Sequence, residues 1–463
     1  MDKSKARIIY TIFVFVALAA FDNIIIGLFP PLFSSIARAL RIPVSSLGIV
    51  SAVNILTTAL SSIGWGYAAG KYKRKKLIMI GTIIWSISVF ITSKSNNYAQ
   101  LFISQLFTGI GLGCIASIGF SVLTDYIPYK YRGMLLSLWG MSQGFGGILG
   151  SLMASIIGAS LGWRKPFEIV SVVGLMLTFL YIFIKEPSLG QSEPELKNLI
   201  KEGEGYNYNI KFNQMHEIIS KKSNVLLLIQ GFFMNITTGS LIWLPTLYIS
   251  KIKDQGYSDK TAIIAAGYLF AILQLGGLTS AFFGYLGDVI QRKSYKGRAR
   301  ITAFFVFITM PLYVIMFTIP MSKLSLNTSS TYSILTSLLR QIFINPWMSA
   351  IFVLAFLASA TQSSNTPNWL ALITDVNLPE HRGAAFSISN VFNSLGRTIG
   401  NVGIGYLLAF VSIYKGEPSN YIITLIIFQM FLVPSAFCYV KMAKTNSRDI
   451  NLVKETLNER SKS

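Results

Sequence analysis

The chain has 463 residues, of which 52% are hydrophobic and 13% charged, with a mean hydropathy of +0.54. That balance excludes a soluble globular protein, because an apolar run of roughly 20 residues already spans a bilayer as a helix. The net charge of +21 invites a nucleic-acid partner, but its distribution argues otherwise: with the N-terminus inside, about 28 of the 40 Lys and Arg fall in cytoplasmic loops. Membrane lipids are therefore the expected partners of these basic loops, and no nucleic acid is expected. The same bias predicts a multi-pass protein of the cell (plasma) membrane with both termini cytoplasmic. Cys114 and Cys438 lie inside apolar runs, so no disulfide framework is implied.

The basic N-terminus, Met1 to Arg7, leads into an apolar run too long for a signal-peptide core and reads as a retained first span. Twelve spans are predicted, at 8–30, 44–69, 77–93, 98–123, 134–160, 166–185, 224–250, 260–287, 301–320, 345–373, 384–411 and 420–442. They divide into an N-terminal six-helix bundle over 1–185, a polar cytoplasmic linker over 186–223, a C-terminal bundle over 224–445 and a cytoplasmic tail over 446–463. Within the linker, Phe212, Met215, Ile218 and Ile219 have helical spacing and fit the membrane surface. The stretch from Ser322 to Ile344 is polar and rich in Ser and Thr, and is expected as an outer loop. The fold class is thus an all-α polytopic membrane protein, two six-helix bundles related by pseudo-symmetry.

The symmetry is written in the sequence. Thr124-Asp125 followed by Arg132-Gly133 returns as Thr374-Asp375 followed by Arg382-Gly383, each between two apolar runs. The register then holds: Ser137 answers to Ser387, Gly146 to Gly396 and Gly150 to Gly400. A second motif after the second span, Gly66 to Lys75, is echoed by Gly284 to Lys293. Glycine at a membrane edge lets helices approach closely, a carboxylate can cap a neighbouring helix N-terminus, and basic residues meet the headgroups. Parallel repeats of six helices are one way in which transporters are built.

These loops resemble the signatures of the major facilitator superfamily, G-x-x-x-D-x-x-G-R-[RK] after the second and eighth spans and T-D-x6-R-G after the fourth and tenth. Gly162-Trp163-Arg164-Lys165-Pro166-Phe167 looks like the family's G-W-R-x-x-F. Glu186-Pro187-Ser188-Leu189-Gly190 and Gly239 to Pro245 resemble Spinster-type carriers. The resemblance implies a central cavity open alternately to either side. It also implies conformational gating by Gly66, Arg74, Asp125, Arg132, Gly284, Asp288, Arg292, Asp375 and Arg382. The first loop departs from the pattern, with Gly70 and Lys73 in place of Asp and Gly. Gln105 stands where many proton-coupled members have Arg, Leu112 where Spinster-type proteins have Glu, and Asn23 in place of the Arg of a first-span D-R pair.

Ionisable side chains deep in membrane helices are functional candidates. Asp22 and Arg397 qualify, at similar depths about 14 and 13 residues from the cytoplasmic ends of their spans, or roughly 20 Å at 1.5 Å per residue. Similar depth predicts that they face one another across the cavity in at least one state. Asp22 is also the expected site of any coupling proton, since an unpaired buried Asp has a raised pKa. Asn23, Gln105, Asn235, Trp243 and Asn365 complete the predicted substrate-binding and coupling set. A further polar tier comprises Asn54, Gln143, Gln230, Gln274, Gln362, Asn368 and Asn393. His216 and His381 fall in loops, and no Walker motif, metal cluster or catalytic constellation is present in the sequence. No cofactor and no enzymatic activity are expected. The leading expectation is a secondary carrier of a small organic solute, anionic or zwitterionic among the options. The alternatives are a Spinster-type lipid or lysolipid carrier and a membrane receptor or scaffold without transport.

Overall fold

The computed structural model describes residues 3–127, 132–184, 186–187 and 215–460. All secondary structure among them is helical. Among the described residues, nine helical stretches are long and apolar enough to cross a membrane, including Tyr98–Tyr126, Lys222–Lys253, Asp259–Lys293 and Pro346–Asp375. The fifth, sixth and eleventh spans complete the twelve as Arg132–Met153, Arg164–Tyr181 and Pro379–Ser412. The sixth and eleventh are less uniformly apolar for readable reasons. Arg164, Lys165 and Glu168 occupy the first turns of the sixth, and Asn, Ser and Arg397 line one face of the eleventh.

Capping and turn chemistry set the ends. Asn97, Ser258 and Ser330 accept hydrogen bonds from the backbone N–H three residues on, at 2.9, 3.3 and 3.0 Å. Gly162, with φ of 89°, ends the fifth span in a conformation that a Cβ would strain.

The repeat positions are where the bundles are tightest. A Cβ on Gly146 or Gly150 would lie 2.3 Å from the carbonyl oxygens of Ala20 and Ile24 in the first span. Their partners in the second half, Gly396 and Gly400, stand 2.2 and 2.0 Å from those of Phe232 and Ile236 in the seventh. The fifth span thus packs on the first as the eleventh packs on the seventh, through backbone contacts that only glycine permits.

The two halves meet along two seams, the second span against the eleventh and the fifth against the eighth. On the latter, Ser151 donates to the Gly267 carbonyl at 3.1 Å. Among the described residues, four spans contain π-helical or 3-10 segments: π-helical turns at Ile115–Gly119 and Ala154–Gly158, and 3-10 turns at Leu241–Trp243 and Gln274–Thr279. Irregular backbone at membrane depth is tolerated where it is buried in protein or lines a cavity. Ala116, Leu241, Ile242, Gln274 and Gly277 from three of these breaks do line one.

One expectation on local structure needs correction. The outer stretch from Ser322 to Ile344 is not all loop: Thr331–Ile344 is a helix whose Ile334, Leu338 and Ile342 form a buried stripe. The segment expected as a tail from 446 is helical as far as Arg460, because the last helix continues from Leu432 to Arg460 with Ile450, Val453 and Leu457 buried at helical spacing. In the linker, Met215–Ser220 is helical with Ile218 buried and Ile219 exposed. Phe212 lies outside the described residues.

Candidate functional site

A cavity of about 400 Å³ lies between the halves, within the size range of small-molecule sites. Asn23, Asn235, Asn365 and Arg397 all line it, as do Asn54, Gln274, Gln362 and Asn393. Several of these amides are held in place. Asn365 Oδ1 accepts from Gln230 Nε2 at 2.9 Å and from the Tyr439 hydroxyl at 2.8 Å, tying the tenth span to the seventh and twelfth. Tyr313 donates to Gln362 Oε1 at 2.6 Å, and Asn235 Nδ2 donates to the Gly231 carbonyl at 2.9 Å. Arg397 is the one cationic residue lining the cavity among the described residues. Asp22 precedes Asn23 on the first span, but its side chain lies outside the described set, as do those of Arg132 and Gln143.

Two predicted residues stand away from the cavity. Gln105 is buried between the second, third and fourth spans. Its Oε1 and backbone carbonyl each accept from Asn54 Nδ2 at 3.1 Å, and its Nε2 donates to Thr92 Oγ1 at 2.8 Å. Without a charge at this position, the amide serves as a bracket between helices. Trp243 likewise braces, its indole N–H donating to the Asn401 carbonyl and Oδ1 at 3.0 and 3.2 Å. Gln230 and Asn368 also lie behind the lining rather than in it.

The sequence reading missed Asn390, Ser394 and Asn401, which line the cavity from the eleventh span together with Asn393 and Arg397. The signal was available: polar residues recurring every three or four positions from 390 to 401 mark one face of a helix.

The bundle end that carries the paired T-D-x6-R-G loops, here the loop end, holds the predicted gating residues. Arg74 is buried and reaches Asp125 at 2.8 Å, Glu186 at 2.9 Å and the Pro187 carbonyl at 2.7 Å. In the second half the geometry differs. Asp288 pairs with Arg298 of the ninth span at 2.6 Å, both side chains buried, and Arg298 Nη1 also donates to Asn368 Oδ1 at 3.2 Å. Asp375 and Arg382 are buried, with Arg382 Nε donating to the Thr374 carbonyl at 3.1 Å. Gly284 is buried in the eighth span, and Arg292 is exposed at its end.

On the loop-end side of the cavity, hydrogen bonds link the two halves directly. Ser387 of the eleventh span donates to Ser117 Oγ at 3.1 Å and to the Ser62 carbonyl at 3.4 Å, joining the two halves. The π-helical turn presents Ser117 to this junction, and a Cβ on Gly66 would sit 2.8 Å from its oxygen. Above the junction, Trp369 and Phe386 pack with ring centroids 5.9 Å apart and form part of the cavity lining.

The sequence profile of the Major Facilitator Superfamily matches residues 12–339 and 326–456. The chain belongs to the Major Facilitator Superfamily. Among curated relatives of this superfamily member, protein spinster homolog 1 of Xenopus laevis is 25% identical over 420 residues, 87% of this chain and 73% of the relative. The cis,cis-muconate transport protein of Acinetobacter baylyi is 23% identical over 272 residues, 56% of this chain and 64% of the relative. A bacterial homologue of the human lysosomal transporter Spinster, solved inward-facing and occupied, shares the fold with a TM-score of 0.64 and 16% identity, covering 97% of this chain and 98% of its own. The proton:xylose symporter XylE does so with a TM-score of 0.65 and 14% identity, covering 96% of each chain. The chain is a multi-pass membrane transporter of a small solute, with Spinster-type resemblance.

Proposed function

We propose that this superfamily member moves a small organic solute by alternating access, with the cavity beside Arg397 as its binding site and the loop end as its cytoplasmic gate. The observation that carries the reading is the juxtaposition of a polar cavity between the halves with hydrogen bonds from Ser387 that join the halves on its loop-end side. Rocking of the halves about the second–eleventh and fifth–eighth seams would break Ser387 from Ser62 and Ser117 and expose the cavity to the other side. Within the cavity, Arg397 offers a guanidinium to a carboxylate or phosphate, while the amides bind neutral polar groups. That favours an anionic or zwitterionic solute. Asp22 is the proposed coupling carboxylate.

The reading is tested by counterflow in proteoliposomes, using labelled organic anions, amino acids and sugars in turn. Counterflow of at least one water-soluble solute, lost in Arg397→Gln, is the expected outcome. No counterflow with any of them would overturn it. The likeness to Spinster homologues over most of the chain supports a second reading, transfer of a lysolipid. Under that reading, labelled lysolipid moves between leaflets while the soluble solutes do not.

A further inference from the structure

The last helix extends about 27 Å beyond residue 442, the expected end of the twelfth span, at 1.5 Å per residue. It lies against three loop-end elements of the second half. At the start of the seventh span, the Ser223 backbone N–H donates to Asp449 Oδ2 at 3.2 Å, and Ser223 Oγ meets Thr445 Oγ1 at 3.0 Å. At the eighth–ninth loop, Asn446 Nδ2 donates to the Tyr295 carbonyl and Lys454 lies over the Tyr295 ring. At the tenth–eleventh loop, Arg460 meets Glu380 at 2.6 Å, with the Glu380 side chain 5% exposed.

That last contact falls on the element that closes the gate. Glu380 is in the first turn of the eleventh span, about 10 Å along the helix from Ser387. The preceding loop is gripped from the other side: Lys221 donates to the Val376 carbonyl at 3.0 Å, and Asn224 and Asn377 exchange hydrogen bonds at 2.8 and 2.9 Å. The start of the eleventh span is therefore clamped between the seventh span and the C-terminal helix.

We propose that residues 446–460 form a strap, and that the Arg460–Glu380 ion pair positions the eleventh span for closure of the loop end. The proposal rests on the reading of the serine junction as a gate. Both residues are positioning residues: neither touches the cavity, and both act through the placement of Ser387. An exposed pair would contribute little, but this one has a buried carboxylate at the root of a moving helix. The strap also gives the C-terminal end of the chain a handle on the gate, since a ligand that pulls Arg460 from Glu380 loosens the element carrying Ser387.

The test uses the full chain in lipid nanodiscs, with Cys114→Ala and Cys438→Ala and spin labels at Tyr72→Cys and Lys293→Cys, exposed loop-end positions on opposite halves. Ser387→Leu is the reference for the gate itself and should lengthen the label-to-label distance by wedging the junction. Arg460→Glu should raise the long-distance population about fivefold, the lower end of usual coupling between sites. The reversal Glu380→Arg with Arg460→Glu should bring it back toward the parent. Lengthening in Ser387→Leu with none in Arg460→Glu, or a reversal no better than Arg460→Glu alone, would overturn the strap and leave the gate standing. No lengthening in Ser387→Leu would overturn the gate, and the strap with it. Thermal unfolding of each variant separates loss of closure from loss of fold, and a variant that melts like the parent yet opens supports positioning.

Discussion

The two copies of the second-span motif differ at one carboxylate, and the difference has a measurable size. Asp288→Asn removes the negative partner of Arg298, whose side chain is 3% exposed and keeps only the Asn368 amide oxygen at 3.2 Å among the contacts described above. Breaking a buried pair from one side costs about 3–5 kcal/mol, because the remaining charge is stranded in a low-dielectric setting. The substituted side chain would still offer an amide oxygen, so the lower figure, about 3 kcal/mol, is the expectation. In the first half the same position is Gly70, exposed, with an ordinary helical φ of −74°. A Cβ there would meet only the Tyr67 carbonyl, at 3.5 Å. Gly70→Ala should therefore be neutral or slightly stabilising, by about 0.4–1 kcal/mol through the unfolded chain. Cys114 and Cys438 are both buried, so a thiol-reactive dye reports unfolding of either half on heating. Asp288→Asn should lower the midpoint markedly while Gly70→Ala leaves it within error or raises it. Spin-label distances across the loop end should shift in the same order. Equal effects of the two substitutions would refute the reasoning. Gly287→Ala is an independent check, because its Cβ would lie 1.9 Å from Asn368 Oδ1 and must displace the amide that supports Arg298.

The proposed pairing of Asp22 with Arg397 predicts that either charge reversal alone impairs substrate binding and that Asp22→Arg with Arg397→Asp recovers part of it, measured by ligand-induced thermal shift. If Asp22 couples transport to protons, Asp22→Asn should flatten the pH dependence of uptake, and an unchanged profile would end that role. His381 lies in the first turn of the helix Pro379–Ser412, in its overhang before the apolar run that begins at 384; it is buried facing Glu380, Lys221, Glu217 and Arg460, and burial pushes its pKa below the usual 6.5. Its Nδ1 is buried without a hydrogen-bond partner among the described residues. Between the folded and unfolded pKa values the unfolded chain binds the extra proton, so stability rises with pH and is lost as pH falls below 6.5 toward the folded value. Melting curves between about pH 5 and 8 should show that loss in the parent and a shallower one in His381→Gln.

Much of the architecture was legible because it depends on patterns that a membrane forces on a sequence. Apolar run length gave the spans, and the duplicated loops gave the relation between halves. Where legibility failed, the failing element was amphipathic rather than apolar. Thr331–Ile344 and the extension to Arg460 each bury only a stripe, so a search for continuous apolar runs passes over both. The site was legible as a set of unusual residues but not as a place. Depth along a helix is readable from residue counts; the direction a side chain faces depends on partners in other spans. Gln105 and Asn365 are both membrane amides in the sequence. One is turned into a three-helix bracket by Asn54 and Thr92, and the other is held at the cavity by Gln230 and Tyr439.

What the two halves kept in common and what they changed follows from the same physics. Gly146, Gly150, Gly396 and Gly400 meet a neighbouring carbonyl so closely that any side chain would force the helices apart, so the repeat is rigid there. Charges bind their partners locally, and a lost partner can be supplied by another element. Arg74 finds carboxylates on the fourth span and just after the sixth, whereas Arg298 finds Asp288 on the eighth. The cavity carries this freedom furthest. Gly147 and Arg397 are repeat partners, yet a Cβ on Gly147 would lie 2.3 Å from Gln274 Oε1, so the first-half position is already filled from the opposite half. At the second-half position a long cation lines the cavity instead. A symmetric scaffold thereby holds an asymmetric cavity, and under the proposed function a solute that is itself polar at one end has one preferred orientation in it.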